Sequence, residues 1–261
     1  MMKALWVSKT GLEAQDIALS TISNNLANAS TTGFKKERAV FQDLIYQIQR
    51  QPGAQESQNS QLPSGLQLGT GVRTVGTQKM FTQGDLKITE QPLDLAINGR
   101  GFFRIQLPDG NEAYTRDGTF HISAEGEIVT GNGYLVDAGI AIPEQTKTIT
   151  IGKDGIVTVV TAGDNDPIEI ANLEVVDFIN PAGLQAMGNN LFLETASSGE
   201  PQAGVPSFDG FGSIIQGALE NSNVTIVEEM VDMIATQRAY EMNSKVISTA
   251  DQMLGFISSN L

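Results

Sequence analysis

A chain of 261 residues with 40% apolar side chains has room for one large domain or two small ones and enough apolar content for a core. Its formal charge of −14 argues against nucleic acid or an anionic membrane face as partner. With no cysteine and one histidine, His121, disulfides and thiolate metal sites are excluded, and histidine-dependent zinc binding or Ser-His-Asp catalysis rests on one residue.

The chain opens on "MMKALWVSKTGLEAQ", which lacks the apolar core of a cleaved secretion signal, and no run approaches the 18 apolar residues of a membrane span. These signals alone describe a soluble cytosolic protein. Leu5, Leu12, Leu19 and Leu26 recur every seven residues, a coiled-coil seam with Gln15 at an intervening position. The pattern predicts a helix from about Lys3 to Ala27, roughly 38 Å long at 1.5 Å per residue. It stops in "SNNLANASTTGFKK", Ser23 to Lys36. Asn28 and Gly33 suit a turn, and Phe34 can pin it against apolar surface.

Next comes a Gln/Gly-rich connecting segment, residues 35–79, whose stretch from Tyr46 to Pro63 has the composition of a flexible linker. From about Met80 to Gly217 the period changes. Short β-rich runs alternate with Pro-Asp-Gly, Arg-Asp-Gly, Ala-Glu-Gly and Gly-Asn-Gly turns, and "TITIGKDGIVTVV" predicts a hairpin. Residues 80–217 hold nineteen acidic and six basic side chains, a net −13, so most of the acidity belongs to this β region. A second long helix is predicted from about Val224, with Ile226, Met233, Tyr240, Ile247, Leu254 and Leu261 again seven apart. Thr225-x-x-Glu228 has the form of a capping box, and Glu228, Glu229 and Asp232 place negative charge in the first turns. The expected fold is α+β: long N- and C-terminal helices paired as a coiled coil (1–34 and 218–261), the connecting segment (35–79) and an outer all-β domain (80–217).

The chemistry of sites is thin. Lys9-Thr10-Gly11 lies inside the first helix with no Ser-x-x-Lys beside it. Gly99-Arg100-Gly101 and Gly131-Asn132-Gly133 lead into strands, so neither supports a phosphate loop. Asp164-Asn165-Asp166-Pro167 resembles a calcium loop only at its start. Asn28-Ala-Ser30 and Asn223-Val-Thr225 are glycosylation sequons on paper, but they fall at helix ends where such residues cap. His121 reads as a strand residue, and Glu228 and Glu229, being adjacent, do not share a helix face. No catalytic, cofactor or metal site is expected.

The stretches "SNNLANASTTGFK" and "EEMVDMIATQRAYEMNSKVISTADQML" resemble the two terminal signatures of the bacterial flagellar rod and hook proteins, and "DLAINGRGFFRI", "YTRDGTF" and "GEIVTGNGYLV" resemble that family's central β domain. The resemblance runs the length of the chain in order. The length and the Tyr46–Pro63 stretch place it nearest the distal-rod members; a proximal rod or hook subunit is the alternative, and a secreted cell-wall-active enzyme a more distant one. The resemblance implies a structural axial subunit that polymerises into a helical tube, transmits torque and conducts exported proteins. It implies export by the flagellar type III apparatus without a cleaved signal, and a place in the rod crossing the periplasm. The implied partners are other copies, proximal rod proteins, the hook protein and the surrounding P and L rings. Assembly would then fall to the helix seams and the turn at Asn28, Gly33 and Phe34. The acidic turns at Asp109, Glu112, Asp117, Glu125, Glu127, Asp164 and Asp166 would face outward as a hydrated bearing surface.

Overall fold

The computed structural model describes residues 2–53, 55–57, 60–61, 64–137, 139–143, 145–162 and 166–259. Asp164, Leu261 and the Pro63 end of the connecting segment lie outside them. The fold combines a mostly β body with one N-terminal and one C-terminal helix: α1 spans Met2–Ala27 and α2 spans Ile226–Ser259. The chain divides into two compact units. One holds residues 1–27, 37–78 and 225–261; the other holds residues 28–36 and 79–224.

In the first, terminal unit the two helices pack on one another and α1 also packs on strand Glu37–Asp43. That strand pairs with Val72–Lys79. The connecting segment departs from its linker-like composition. Gln47–Arg50 pairs antiparallel with Leu66–Leu68, and Gln55–Ser57 with Ser60–Gln61. Alternation of Gln with Ile48 satisfies the period of a strand, which a count of polar residues does not register.

The second, β unit is built on a nine-stranded sheet. Its main path runs Phe120–Ile122, Ile128–Thr130, Leu135–Val136, Phe102–Gln106, Glu112–Thr115, Leu191–Leu193, Gln185–Gly188. The predicted hairpin forms, with Ile151 opposite Val157 and a third strand, Ile168–Asn172, beside it. Strand Phe102–Gln106 buries both faces. Phe103 and Ile105 join a large aliphatic core with Val136, Val157, Val175 and Ile214. Phe102 turns to the other side, where it meets Tyr114, Val176, Phe178 and Phe192. Those rings pack edge to face, with Tyr114 and Phe178 centroids 4.8 Å apart. The two-residue period of a strand delivers successive side chains to two separate cores. His121 sits exposed on strand Phe120–Ile122, opposite Val129.

Candidate assembly site

The helix pair of the terminal unit is antiparallel. Asn243 Nδ2 donates to Gln15 Oε1 at 3.2 Å, and Asn25 Nδ2 donates to Glu229 Oε2 at 3.1 Å. A Cβ added at Gly11 would lie 3.1 Å from Asn243 Nδ2, so α2 approaches α1 closely there. The buried positions are small or polar: Ser8, Ala14, Thr21 and Asn25 on α1, Glu229 and Ala250 on α2. Glu229, Thr236, Asn243 and Ala250 are themselves seven apart, a second heptad interleaved with the apolar one.

The apolar heptads are less covered. Leu5, Leu12, Leu19, Leu26, Met233 and Ile247 are half-buried, while Ile226, Tyr240 and Leu254 are exposed. Beside them Val227 (70% exposed), Val231 (59%) and Ile234 (56%) stand in solvent with Met230, Met242 and Phe256. This pair therefore buries polar groups and displays large apolar ones, the reverse of a helix packed only on its own domain. Exposed apolar surface of this extent marks an interaction site.

The polar stretch that ends α1 has its own task. Asn25, 1% exposed, takes Glu37 by both backbone groups: Nδ2 donates to its carbonyl at 2.7 Å and Oδ1 accepts its N–H at 2.9 Å. Within the β unit, the Thr31 N–H bonds the Asn28 carbonyl at 3.1 Å, which closes a turn. Asn28 is not among the residues with positive φ; Gly33 is, at +68°. A Cβ at Gly33 would lie 2.6 Å from the Asp117 nitrogen, so no side chain fits there. Phe34 is half-buried, with Lys79 Nζ 5.4 Å from its ring centroid. Asn223 is no helix cap. Its Oδ1 accepts the Lys36 N–H at 2.6 Å and its Nδ2 donates to the Met80 carbonyl at 2.8 Å. The first turn of α2 is closed instead by the Glu229 N–H on the Thr225 carbonyl at 3.1 Å.

Within the β unit lies a buried ionic cluster that periodicity could not reveal. Glu220 Oε1 accepts Lys35 Nζ at 2.5 Å and the Gly84 N–H at 2.9 Å, and its Oε2 accepts Arg116 Nη1 at 3.1 Å. Two cations face one carboxylate, and carbonyls absorb the surplus: Thr82 for Lys35, Ile97 and Gly99 for Arg116. Burial pulls the Lys35 pKa below its ordinary value, with Glu220 opposing. Burial likewise lowers that of Arg116, again against Glu220. Among the described residues Arg116 Nε has no hydrogen-bond partner, and the guanidinium lies 5.4 Å from the Phe102 ring centroid. The cluster joins the segment leaving α1, the segment entering α2 and the Arg-Asp-Gly turn. Its one sequence signal was the charge within "GFKK", "YTRDGTF" and "GALEN".

The residues of this arrangement match known families. Residues 5–35 match the family described as "Flagella basal body rod protein". Residues 96–159 match "Flagellar hook protein FlgE/F/G D1 domain" and residues 215–260 match "Flagellar basal body rod FlgEFG protein C-terminal". The "Flagellar basal-body rod protein FlgG" of Buchnera aphidicola subsp. Schizaphis graminum is 53% identical over 99% of both chains. The chain belongs to the flagellar basal-body rod protein family. The protein of the same name from Borreliella burgdorferi is 51% identical over 100% of this chain and 99% of its own. That from Bacillus subtilis is 36% identical over 97% of each. Among the described residues no group of three His, Cys, Asp or Glu side chains is placed to hold a metal ion, and no helix is long and apolar enough to cross a membrane.

Proposed function

We propose that the chain is a structural distal-rod subunit of the flagellar basal body, polymerising into a helical tube that transmits torque and leaves a channel for exported proteins. The observation that carries this reading is the inverted helix pair: α2 shows Val227, Val231 and Ile234 to solvent while Glu229 is buried. Such a surface is completed by further copies of itself. The antiparallel packing of α1 on α2 supports a coiled coil whose apolar heptads, Leu5, Leu12, Leu19 and Leu26 with Ile226, Met233, Tyr240, Ile247 and Leu254, meet neighbouring subunits. Asn28, Gly33 and Phe34 form the turn by which each chain leaves that layer.

Family membership supports partners among rod and hook proteins. Proximal rod proteins below, the hook protein above and the P and L rings around it are our assignment, as is a position across the periplasm reached through the flagellar type III export apparatus. Electron microscopy of the assembled full-length chain tests the reading. The expected result is a hollow helical tube, abolished by Leu19→Asp or Ile247→Asp while the β unit keeps its β-sheet circular dichroism. Discrete closed oligomers, or turnover of cell-wall peptidoglycan by the soluble chain, would overturn it.

A further inference from the structure

Two features of the β unit are complementary, and neither is used within it. The first is the loop from Val205 to Phe211. Ser207 and Asp209 both take left-handed backbone, with φ of 69° and 51°. Non-glycine residues adopt that conformation at a cost, so a loop holding two of them is over-determined by its surroundings. Ser207 Oγ donates to the Lys153 carbonyl at 3.0 Å, and the Phe211 N–H donates to the Phe208 carbonyl at 2.9 Å. A Cβ on Gly204 would collide with the Phe211 ring, so that ring is seated on bare backbone. What this construction presents to water is Phe208, 60% exposed, with Asp209 beside it.

The second feature is a cavity of about 430 Å³ open at the surface, lined by Pro92, Ile122, Ile142, Pro143, Ile149 and Lys147 among others. Its walls are mostly apolar and Lys147 is their one charged side chain; among the described residues Lys147 makes no ion pair. The two features lie at opposite ends of strand Thr146–Ile151. The cavity takes residues 146–149, while the loop is tied to Lys153, on the order of 10 Å further along at about 3.3 Å per residue. Phe208 does not line its own copy's cavity.

We infer that Phe208 of one copy docks into this cavity on a neighbouring copy, with Asp209 set against Lys147. The inference rests on the polymer reading above and specifies a contact within it. Knob and hole are different surfaces of one molecule, so the contact is heterologous and propagates rather than closing on itself. A buried ring contributes about 150–250 Å² of contact. One such contact is weak, but repetition in every subunit adds it to the helix contacts along the whole assembly. The apolar lining and the sign match of Lys147 with Asp209 favour a second copy of this chain, which carries Phe beside an acid on the same exposed loop.

The chain lacks cysteine, so introduced thiols report this contact without background. The full-length chain carrying both Phe208→Cys and Ile122→Cys is assembled and oxidised. A ladder of covalent oligomers is expected, with at most dimers from either single variant. Lys147→Glu and Asp209→Lys should each slow growth several-fold at low salt, and their combination should recover it. Polymers that form normally from all variants without a ladder overturn the docking and leave the rod reading standing. A ladder that ends at a small closed ring supports the docking and overturns the tube. Failure of the unaltered chain to polymerise overturns both.

Discussion

The Lys35 ammonium and the Glu220 carboxylate meet at 2.5 Å with neither side chain open to solvent. Arg116 completes the cluster from the far oxygen of the same carboxylate, 3.1 Å away. A single anion thus stands between two buried cations, on segments 185 and 104 residues from it in the chain.

Removing that anion is therefore worse than removing either cation. Glu220→Gln leaves two uncompensated buried charges and should cost about 3–5 kcal/mol, the usual penalty for orphaning a buried ion. Lys35→Met leaves a balanced Arg116–Glu220 pair and should cost less. Thermal unfolding of the two variants side by side checks the order; equal midpoints would show that the cluster is not organised around Glu220.

Tyr114 makes stability depend on alkali. Burial, and then the hydrogen bond from its hydroxyl to Glu112 Oε2 at 3.0 Å, raise its pKa above the ordinary 10.0. The folded protein therefore holds the phenolic proton more tightly than the unfolded chain does. Its stabilising contribution is complete below pH 10.0 and is lost as pH rises from there towards the higher folded value. Urea unfolding should show the parent losing stability above about pH 10 more steeply than Tyr114→Phe. Parallel pH profiles would contradict the assignment.

Much of this was legible in the sequence, because helices and hairpins announce themselves by period. The heptads located α1 and α2 within a few residues, and Lys153-Asp154-Gly155 marked its hairpin. What stayed hidden depends on long-range partners. Asn25 is one of three Asn in the stretch that ends α1, and nothing local says that its amide would take both backbone groups of Glu37. Nothing near Lys35 in the sequence names Glu220, which comes from 185 residues further along the chain. The heptad of Glu229, Thr236, Asn243 and Ala250 was visible as spacing, but hydrophobic counting passes over polar and small residues. The connecting segment reads as a linker by its Gln content, yet Gln47–Arg50 forms a strand, with Ile48 exposed on it.

Deleting residues 46–63 removes strand Gln47–Arg50 and leaves Leu66–Leu68 without its antiparallel partner. The expected polymer is more flexible or curved than the parent, because we assign the apolar and amide groups of this stretch to bracing neighbouring subunits. Bending measured on electron micrographs decides the matter. Rods as straight as the parent would remove the stiffening role.

The proposed acidic bearing surface narrows to fewer residues than turn positions alone suggest. Asp117 accepts hydrogen bonds from both the backbone and the hydroxyl of Thr119, and Glu112 is engaged with Tyr114. Glu127 is half-buried, whereas Asp109, Glu125 and Asp166 are exposed. Replacing those three with Lys should leave polymerisation intact and slow rotation in motility assays. Normal swimming by the triple variant would assign the charge to solubility alone.

The antiparallel contact between Gln15 and Asn243 bridges 228 positions of sequence. A ribosome making this chain finishes the first helix long before its partner exists, and the β unit can form in the interval. Pairing of the helices is the last event of synthesis, because α2 begins only at Ile226. A product that stops after Val224 and before that point can still fold its β unit but lacks the exposed apolar face of α2. On the proposed assembly, joining doubles as a check that translation reached α2, and chains without it are left out with no separate inspection.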